Sequence, residues 1–308
     1  MTLTIVGAGM AGLLAANLLR HRNPLVVEKS ETLPNNHRAI LRFSSPSVGD
    51  ALKIPFRKVT LVKNALPWKN PLADILAYAE KTTGIASTDR SIARRKAEIG
   101  ERWISSPDLI QRMASRVEVR LGASHEFSSG MPKVISTIPM PSLLSALGYG
   151  RTLDFKYRHG WVVNATVDDA DAFATLLVPD PAIPFYRASI TGDVMTIETL
   201  VQPRDAVALA EEAAELMGVR IHRDAVTVSR QLYAKILPVD EAERRAAIFW
   251  ASSTTGIAYQ LGRFATWRPG LLTEHLLHDI ELIDGWIGSG EGDRYSMELH
   301  EAKQRRVV

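Results

Sequence analysis

The stretch "TIVGAGMAGLLAANLLRHRNPLVVEKS", residues 4–30, constrains the fold more than any other part of this chain. Thr4, Ile5 and Val6 form a β-branched, apolar run suited to a buried parallel strand. Residues Met10 to Arg20, rich in Ala and Leu, predict a helix straight after it. Gly7, Gly9 and Gly12 therefore fall in a strand-to-helix turn at the G-x-G-x-x-G spacing. Asn23-Pro24 breaks the chain, Leu25-Val26-Val27 reads as the next strand, and Glu28 closes it. This is a βαβ unit of the kind that holds a dinucleotide. Gly7 permits the tight turn, Gly9 lets the backbone approach a pyrophosphate, and Gly12 lets the helix pack closely on the strand. The helix N-terminus adds free N–H groups and a partial positive charge. Glu28 is placed to accept hydrogen bonds from ribose hydroxyls. The fingerprint by itself fits FAD or NAD. A Gly-rich turn without a ligand is the bland alternative. A signal peptide over residues 3–19 is not expected, because no basic segment precedes the run and acidic Glu28 follows within an ordinary strand.

Composition narrows the chemistry. With 308 residues, 46% of them hydrophobic, the chain can bury a large core or two closely joined domains. No apolar stretch approaches the roughly 20 residues needed to span a bilayer, so a cytoplasmic protein with no membrane partner is expected. There is no cysteine, which excludes disulfides, thiolate metal sites and a cysteine nucleophile. The eight histidines show no ligand spacing, and no metal is expected. Net charge is only +3 but unevenly spread. Arg38, Arg42, Lys53, Arg57, Lys58, Lys63 and Lys69 face a single acid, Asp50, between residues 34 and 70. Arg90, Arg94, Arg95, Lys96 and Arg102 follow. Glu274, Asp279, Glu281, Asp284, Glu291 and Asp293 make the C-terminal part acidic. Such asymmetry predicts a positive face for an anionic ligand, or else a set of separately solvated loops.

Residues 34–70, with prolines at 34, 46, 55 and 67, read as irregular. Helices are predicted over 71–81 (Pro at the first turn) and after Ser106, an N-cap candidate followed by Pro107 and Asp108. Residues 117–121 alternate as a strand, and "KVISTIPMPSLLSALG" reads as strand, proline turn and helix. From 153 to 200 four strand-like segments separated by Gly, Pro and Asp predict an antiparallel sheet. A helix over 204–218 ended by Gly218, a strand through "VTVSRQLYAKILPV" and a last helix over 271–287 complete the pattern.

This arrangement resembles the FAD-dependent amine oxidase superfamily, especially its UDP-galactopyranose mutase-like branch. Three stretches carry the likeness: "IVGAGMAGLLAANLL" with Glu28, "KVISTIPMPSLLSAL", and "IPFYRASITGDVMTIET" with the later "YQLGRFATWRPGLLTEHLL". The resemblance implies an α/β fold, a Rossmann-like FAD-binding domain joined to a second domain built on an antiparallel sheet plus helices. Residues 1–45, 96–150 and 235–308 would form the first domain, and 46–95 and 151–234 the second. It also favours FAD over NAD. Gly7, Gly9, Met10, Ala11, Gly12, Glu28 and Lys29 would hold its ADP half, with Gly262 and Arg263 near the flavin. Where the superfamily places a Gly-Gly segment, this chain has "PNNHRAILRF", so Asn36, His37 and Arg38 would stand beside the flavin. Arg187 would point into the substrate cavity. Arg187 and His37 are the catalytic candidates, and Arg38 joins the cofactor set.

The chemistry so implied is an FAD-dependent oxidation of a C–N bond in an amino-acid-type amine, with an Arg holding the substrate's anionic group. Compact, cysteine-free and basic, the chain is similar to bacteriophage N-glycyl-thymidine oxidases. That likeness implies DNA carrying a modified base as substrate, flipped from the stack, inside the host cytoplasm. The alternative is a mutase-like enzyme of a nucleotide sugar using reduced flavin, with the basic residues on a diphosphate. A flavin-binding module without activity is the third reading.

Overall fold

A computed structural model of the chain describes residues 3–33, 42–67, 71–84, 86, 98–127, 134–254 and 259–289. Two sheets organise them. The first is parallel and holds β1 (Thr4–Val6), β2 (Leu25–Val27), β6 (Glu118–Arg120), β7 (Val134–Ser136) and β13 (Tyr259–Gln260), in the order β13-β7-β1-β2-β6. β1 is central, with Ile5 opposite Val26 on one side and Ile135 on the other. Helix α1 (Met10–Leu18) buries Leu13, Leu14, Ala15 and Ala16 against this sheet. The βαβ unit predicted from the glycines is therefore present, flanked by strands from much later in the chain.

The second sheet has eight strands: β3 (Arg42–Phe43), β4 (Arg57–Ala65), β5 (Glu98–Ile104), β8 (Tyr157–Val167), β9 (Ala172–Leu177), β10 (Arg187–Gly192), β11 (Val194–Thr199) and β12 (Ile221–Ile236). Their order is β12-β8-β11-β10-β9-β4-β5-β3. Every pair is antiparallel except β4–β9. The antiparallel expectation is met over residues 157–236. The parallel pair joins strands from two separate excursions of the chain, whose long connection allows that direction. β3 and β5 lie in this second sheet, within stretches 1–45 and 96–150 expected to belong to the nucleotide-binding part.

One face of the second sheet is apolar. Val163, Ala165, Leu176, Ala188, Ile190, Met195 and Ile197 pack with Leu209, Ala210, Ala213 and Ala214 of helix α6 (Ala206–Met217). That helix is capped by the Asp205 carboxylate on the N–H groups of Val207 and Ala208, and ends at Gly218 in the left-handed region. The opposite face alternates to polar residues, as period two requires. Thr175, Ser189, Thr196, Asn164 and Thr227 stand in one transverse row across five strands.

Local expectations fail in three places. Residues 34–70 are not irregular throughout, because α2 (Ser47–Leu52) and the nine-residue β4 lie among them. Their prolines punctuate: Pro46 is the N-cap of α2 and Pro55 precedes β4. Ser106 is not the N-cap; Asp108 holds that position of α4 (Leu109–Ala114) without a side-chain cap bond, while the Ser106 carbonyl accepts from Leu109 N and its hydroxyl from Arg112. The last helix, α8, spans His275–Ser289, because residues 271–274 form turns. Among the described residues no helix is long and apolar enough to cross a membrane, and no group of residues could hold a metal ion.

Candidate nucleotide site and the concave sheet face

The three glycines do three different jobs. Gly7 has φ +104°, and a Cβ there would lie 2.1 Å from Thr137 Oγ1, which itself donates to Val6 O at 2.8 Å. Gly12 faces the turn so tightly that a Cβ would stand 1.9 Å from Gly7 O. Gly9, the N-cap of α1, is extended (φ −75°, ψ −177°), and a Cβ there would meet nothing within 4 Å. Two glycines are thus demanded by the protein's own packing, and the third borders open space. No side chain caps α1, so the N–H groups of its first turn, Met10 and Ala11 included, are unspent by the helix. Uncapped donors beside open space are the arrangement that suits an anion.

Glu28 closes the cradle. Its Oε2 accepts from Ala8 N at 2.8 Å and its Oε1 from Ser30 N at 2.9 Å. A carboxylate has about four acceptor positions, so two backbone bonds fix its orientation and leave capacity for hydroxyls. Lys29 is exposed beside it.

The far end of the chain meets the same helix. β13 pairs with β7, and Leu261 N donates to Ser136 O at 2.9 Å. Gly262, at φ +105°, follows, and a Cβ there would lie 3.1 Å from Ala11 Cβ. The turn that carries Arg263 is pinned at four points. Thr266 Oγ1 donates to Gly262 O, Arg244 Nη1 to Thr266 O, Met140 N to Phe264 O, and Trp267 Nε1 to Leu237 O at the end of β12. Trp267 holds a left-handed φ of +47° and is almost wholly buried, edge-on to Phe155. Left-handed backbone at a bulky residue persists only where the surroundings over-determine it. Gly7, Gly9, Gly12, Met10, Ala11, Glu28, Gly262 and Arg263 are therefore brought together. His37 and Arg38, with Asn36, lie outside the described residues.

Arg187 stands on the second sheet, on the polar face. Its Nε donates to Glu198, its direct cross-strand partner. Burial opposes the Arg187 charge, but Glu198 outweighs it and holds the guanidinium above its ordinary value. Burial would raise Glu198, and Arg187 outweighs that too, holding the carboxyl below its usual range. The other Glu198 oxygen accepts from Tyr186 OH at 3.2 Å, and burial, then Glu198, pushes that phenol up. Lys235 Nζ lies 4.3 Å from the Tyr186 ring centre. Glu198, the partner of the candidate Arg187, is not singled out by the sequence reading. The signal is there: Gly192-Asp193 is a two-residue hairpin turn, which puts 187 opposite 198.

Arg42 is on the same sheet and differs from Arg187 in one respect. Its Nε donates to Thr191 Oγ1 and its Nη1 to Thr175 Oγ1, each at 2.7 Å. Its Nη2 donates to the carbonyls of Ala174 and Ile190. All four acceptors are neutral. Burial, and then the Arg187 charge, lower its pKa to about 10. Of the other basic residues, Arg57 pairs with Asp171, Lys58 with Glu101, and Lys63 with Glu98. Arg57 and Lys58 are neighbours on one strand, so alternation sends them to opposite faces. Lys69, Arg90, Arg94, Arg95 and Lys96 lie outside the described residues.

A parallel sheet with a glycine-rich turn, joined to a mixed sheet with a polar face, defines the class: an α/β fold with a Rossmann-like parallel sheet. No family model matches the sequence, and no curated protein does. Solved structures share the fold. Reduced UDP-galactopyranose mutase superposes over 98% of this chain and 98% of its own, at 14% identity and a TM-score of 0.69. A geranylgeranyl bacteriochlorophyll reductase-like protein from Thermoplasma acidophilum covers 99% and 84%, at 10% identity and 0.60. A flavin-dependent brominase covers 97% and 83%, at 11% identity and 0.59.

Proposed function

We propose that this chain binds FAD and is an FAD-dependent oxidoreductase of amine oxidase type, acting on the C–N bond of an amino-acid-type amine that bears an anionic group. One observation carries the cofactor reading. Gly9 borders open space at an uncapped helix start, while Gly7 and Gly12 are packed without room for a Cβ. The residues fit a dinucleotide: Met10 and Ala11 N–H groups for its pyrophosphate, Glu28 for its ribose, and the Gly262-Arg263 turn on the far side of the same helix end. FAD, when bound, supplies a two-electron acceptor for a hydride leaving a carbon next to nitrogen. The chain's part is to hold the phosphates, orient the amine through its anionic group and keep water out.

Denaturation should release FAD, and neither FMN nor NAD, from the purified protein, and amines should drive oxygen uptake with peroxide release. A colourless protein whose spectrum is unchanged by added FAD would overturn the cofactor reading. In its narrower form the amine is carried on a thymine of bacteriophage DNA, in the host cytoplasm. Because Arg57, Lys58 and Lys63 have acidic partners, that form leans on Arg38, Arg90, Arg94, Arg95 and Lys96. Replacing Arg94 and Arg95 by Ala should then lower the log–log salt slope of DNA binding by roughly two; an unchanged slope counts against it. The second reading, a mutase-like enzyme of a nucleotide sugar, is favoured by the likeness to reduced UDP-galactopyranose mutase along both chains. It requires prior reduction for turnover and consumes no oxygen.

A further inference from the structure

We propose that Arg42, on the concave face of the second sheet, is the seat of the substrate's anionic group, a carboxylate or phosphate, with Arg187 as its second donor. This rests on the reading above that the substrate is anionic. The geometry begins with strand order. β3 is the edge strand, and β5 and β4 separate it from β9, with β10 one strand further. At about 4.8 Å per strand, a flat sheet would put β9 about 14 Å away, beyond the reach of one side chain. Arg42 nevertheless bonds Thr175 and Ala174 of β9 and Thr191 and Ile190 of β10. The sheet is therefore curled, and Arg42 reaches across its inside.

The floor beneath it is the polar face. Thr175, Ser189 and Thr191 are buried there, and Thr175 Oγ1 lies 3.1 Å from Ser189 Oγ. Four of Arg42's five N–H groups are used on neutral oxygens, so its orientation is set while its charge is not neutralised. The fifth N–H, on Nη1, has no acceptor among the described residues. A guanidinium that is half-buried and without a bonded carboxylate needs a counter-charge. The carboxylates of this face are already engaged: Glu198 by Arg187 and Tyr186, Glu98 by Lys63, and Asp171 by Arg57. Arg187 spends its Nε there, and its side chain is 37% exposed. The face therefore holds more positive than negative charge, with N–H groups on a prearranged frame. That suits an incoming anion.

Titration calorimetry on the protein as isolated tests this, with N-acetylglycine as the carboxylate probe and inorganic phosphate as the other, alongside the FAD content of each variant. Wild type should bind one probe at one site, and the preferred probe tells carboxylate from phosphate. Arg42→Met should weaken that binding at least tenfold with FAD content unchanged. Glu198→Gln should tighten it several-fold, because a competing negative charge is removed and Arg187 is released. A folded Arg42→Met protein that binds as wild type does would overturn the proposal, as would wild type binding neither probe. Should Arg42→Met fail to fold, Glu198→Gln decides: without tightening, the proposal fails. Loss of FAD from wild type itself would show as a colourless protein and would count against the cofactor reading separately.

Discussion

Gly9→Ala and Gly12→Ala carry the same added methyl group three residues apart, and they should fail in opposite ways. At Gly12 a helix-interior Ala would gain about 1 kcal/mol in propensity. Its Cβ, however, would stand 1.9 Å from the Gly7 carbonyl oxygen, a backbone atom that cannot swing aside. Overpacking costs roughly 1–3 kcal/mol or more, so the clash wins and α1 must lift from β1. The protein without cofactor should melt several degrees lower and bind FAD poorly. At Gly9 the backbone is already extended, and the methyl would meet nothing within 4 Å. Stability should fall by less than about 1 kcal/mol, the difference between Gly and Ala as an N-cap. If a pyrophosphate sits against that Cα, the methyl displaces it from at least one charge-assisted bond worth about 1.5–3 kcal/mol. The dissociation constant should then rise roughly 10- to 100-fold. Titrating FAD into the apoprotein by flavin fluorescence, with thermal melts in parallel, separates the two. Unchanged FAD affinity in Gly9→Ala would show that no dinucleotide occupies that space.

Glu28→Ala should release Ala8 N and Ser30 N and leave no acceptor for a ribose, so FAD retention through gel filtration should fall. Arg268 and Asp279 form a buried pair; Arg268→Met alone should cost about 3–5 kcal/mol by denaturant unfolding, and much less with Asp279→Leu added. Lys81 donates to the carbonyls of Val178 and Asp180, and burial lowers its pKa to about 8 from 10.5. Its folded form sheds the proton first, so the unfolded chain binds more protons between those values and stability should gain with rising pH there. The wild-type minus Lys81→Met difference in unfolding free energy, measured across pH 7–11, should carry that rise; a flat difference refutes it.

What the sequence made legible was local. The glycine fingerprint, the strands beside it and Gly218 as a stop are set by residues within a turn or two of each other. β4 was hidden because prolines at its borders look the same as prolines inside a loop. Glu198 was readable from the Gly192-Asp193 turn, since a two-residue hairpin sets its own register. Arg42 was not. Its basic neighbours suggested a surface patch, and only the strand order and curl turn its side chain inward. Burial and partners across three or four strands leave no periodic trace.

The contact between Gly262 and Ala11 bears on how the protein is made. The parallel sheet opens with β1 and closes with β13, so the wall facing the first helix does not exist until the last described segment has emerged from the ribosome. A nascent chain carrying only the glycine fingerprint holds half a pocket and a strand with an empty side. Such long-range closure makes folding slow and late. Any dinucleotide held there would therefore meet a complete site only after β13 has paired with β7, and its binding would stabilise that closed arrangement.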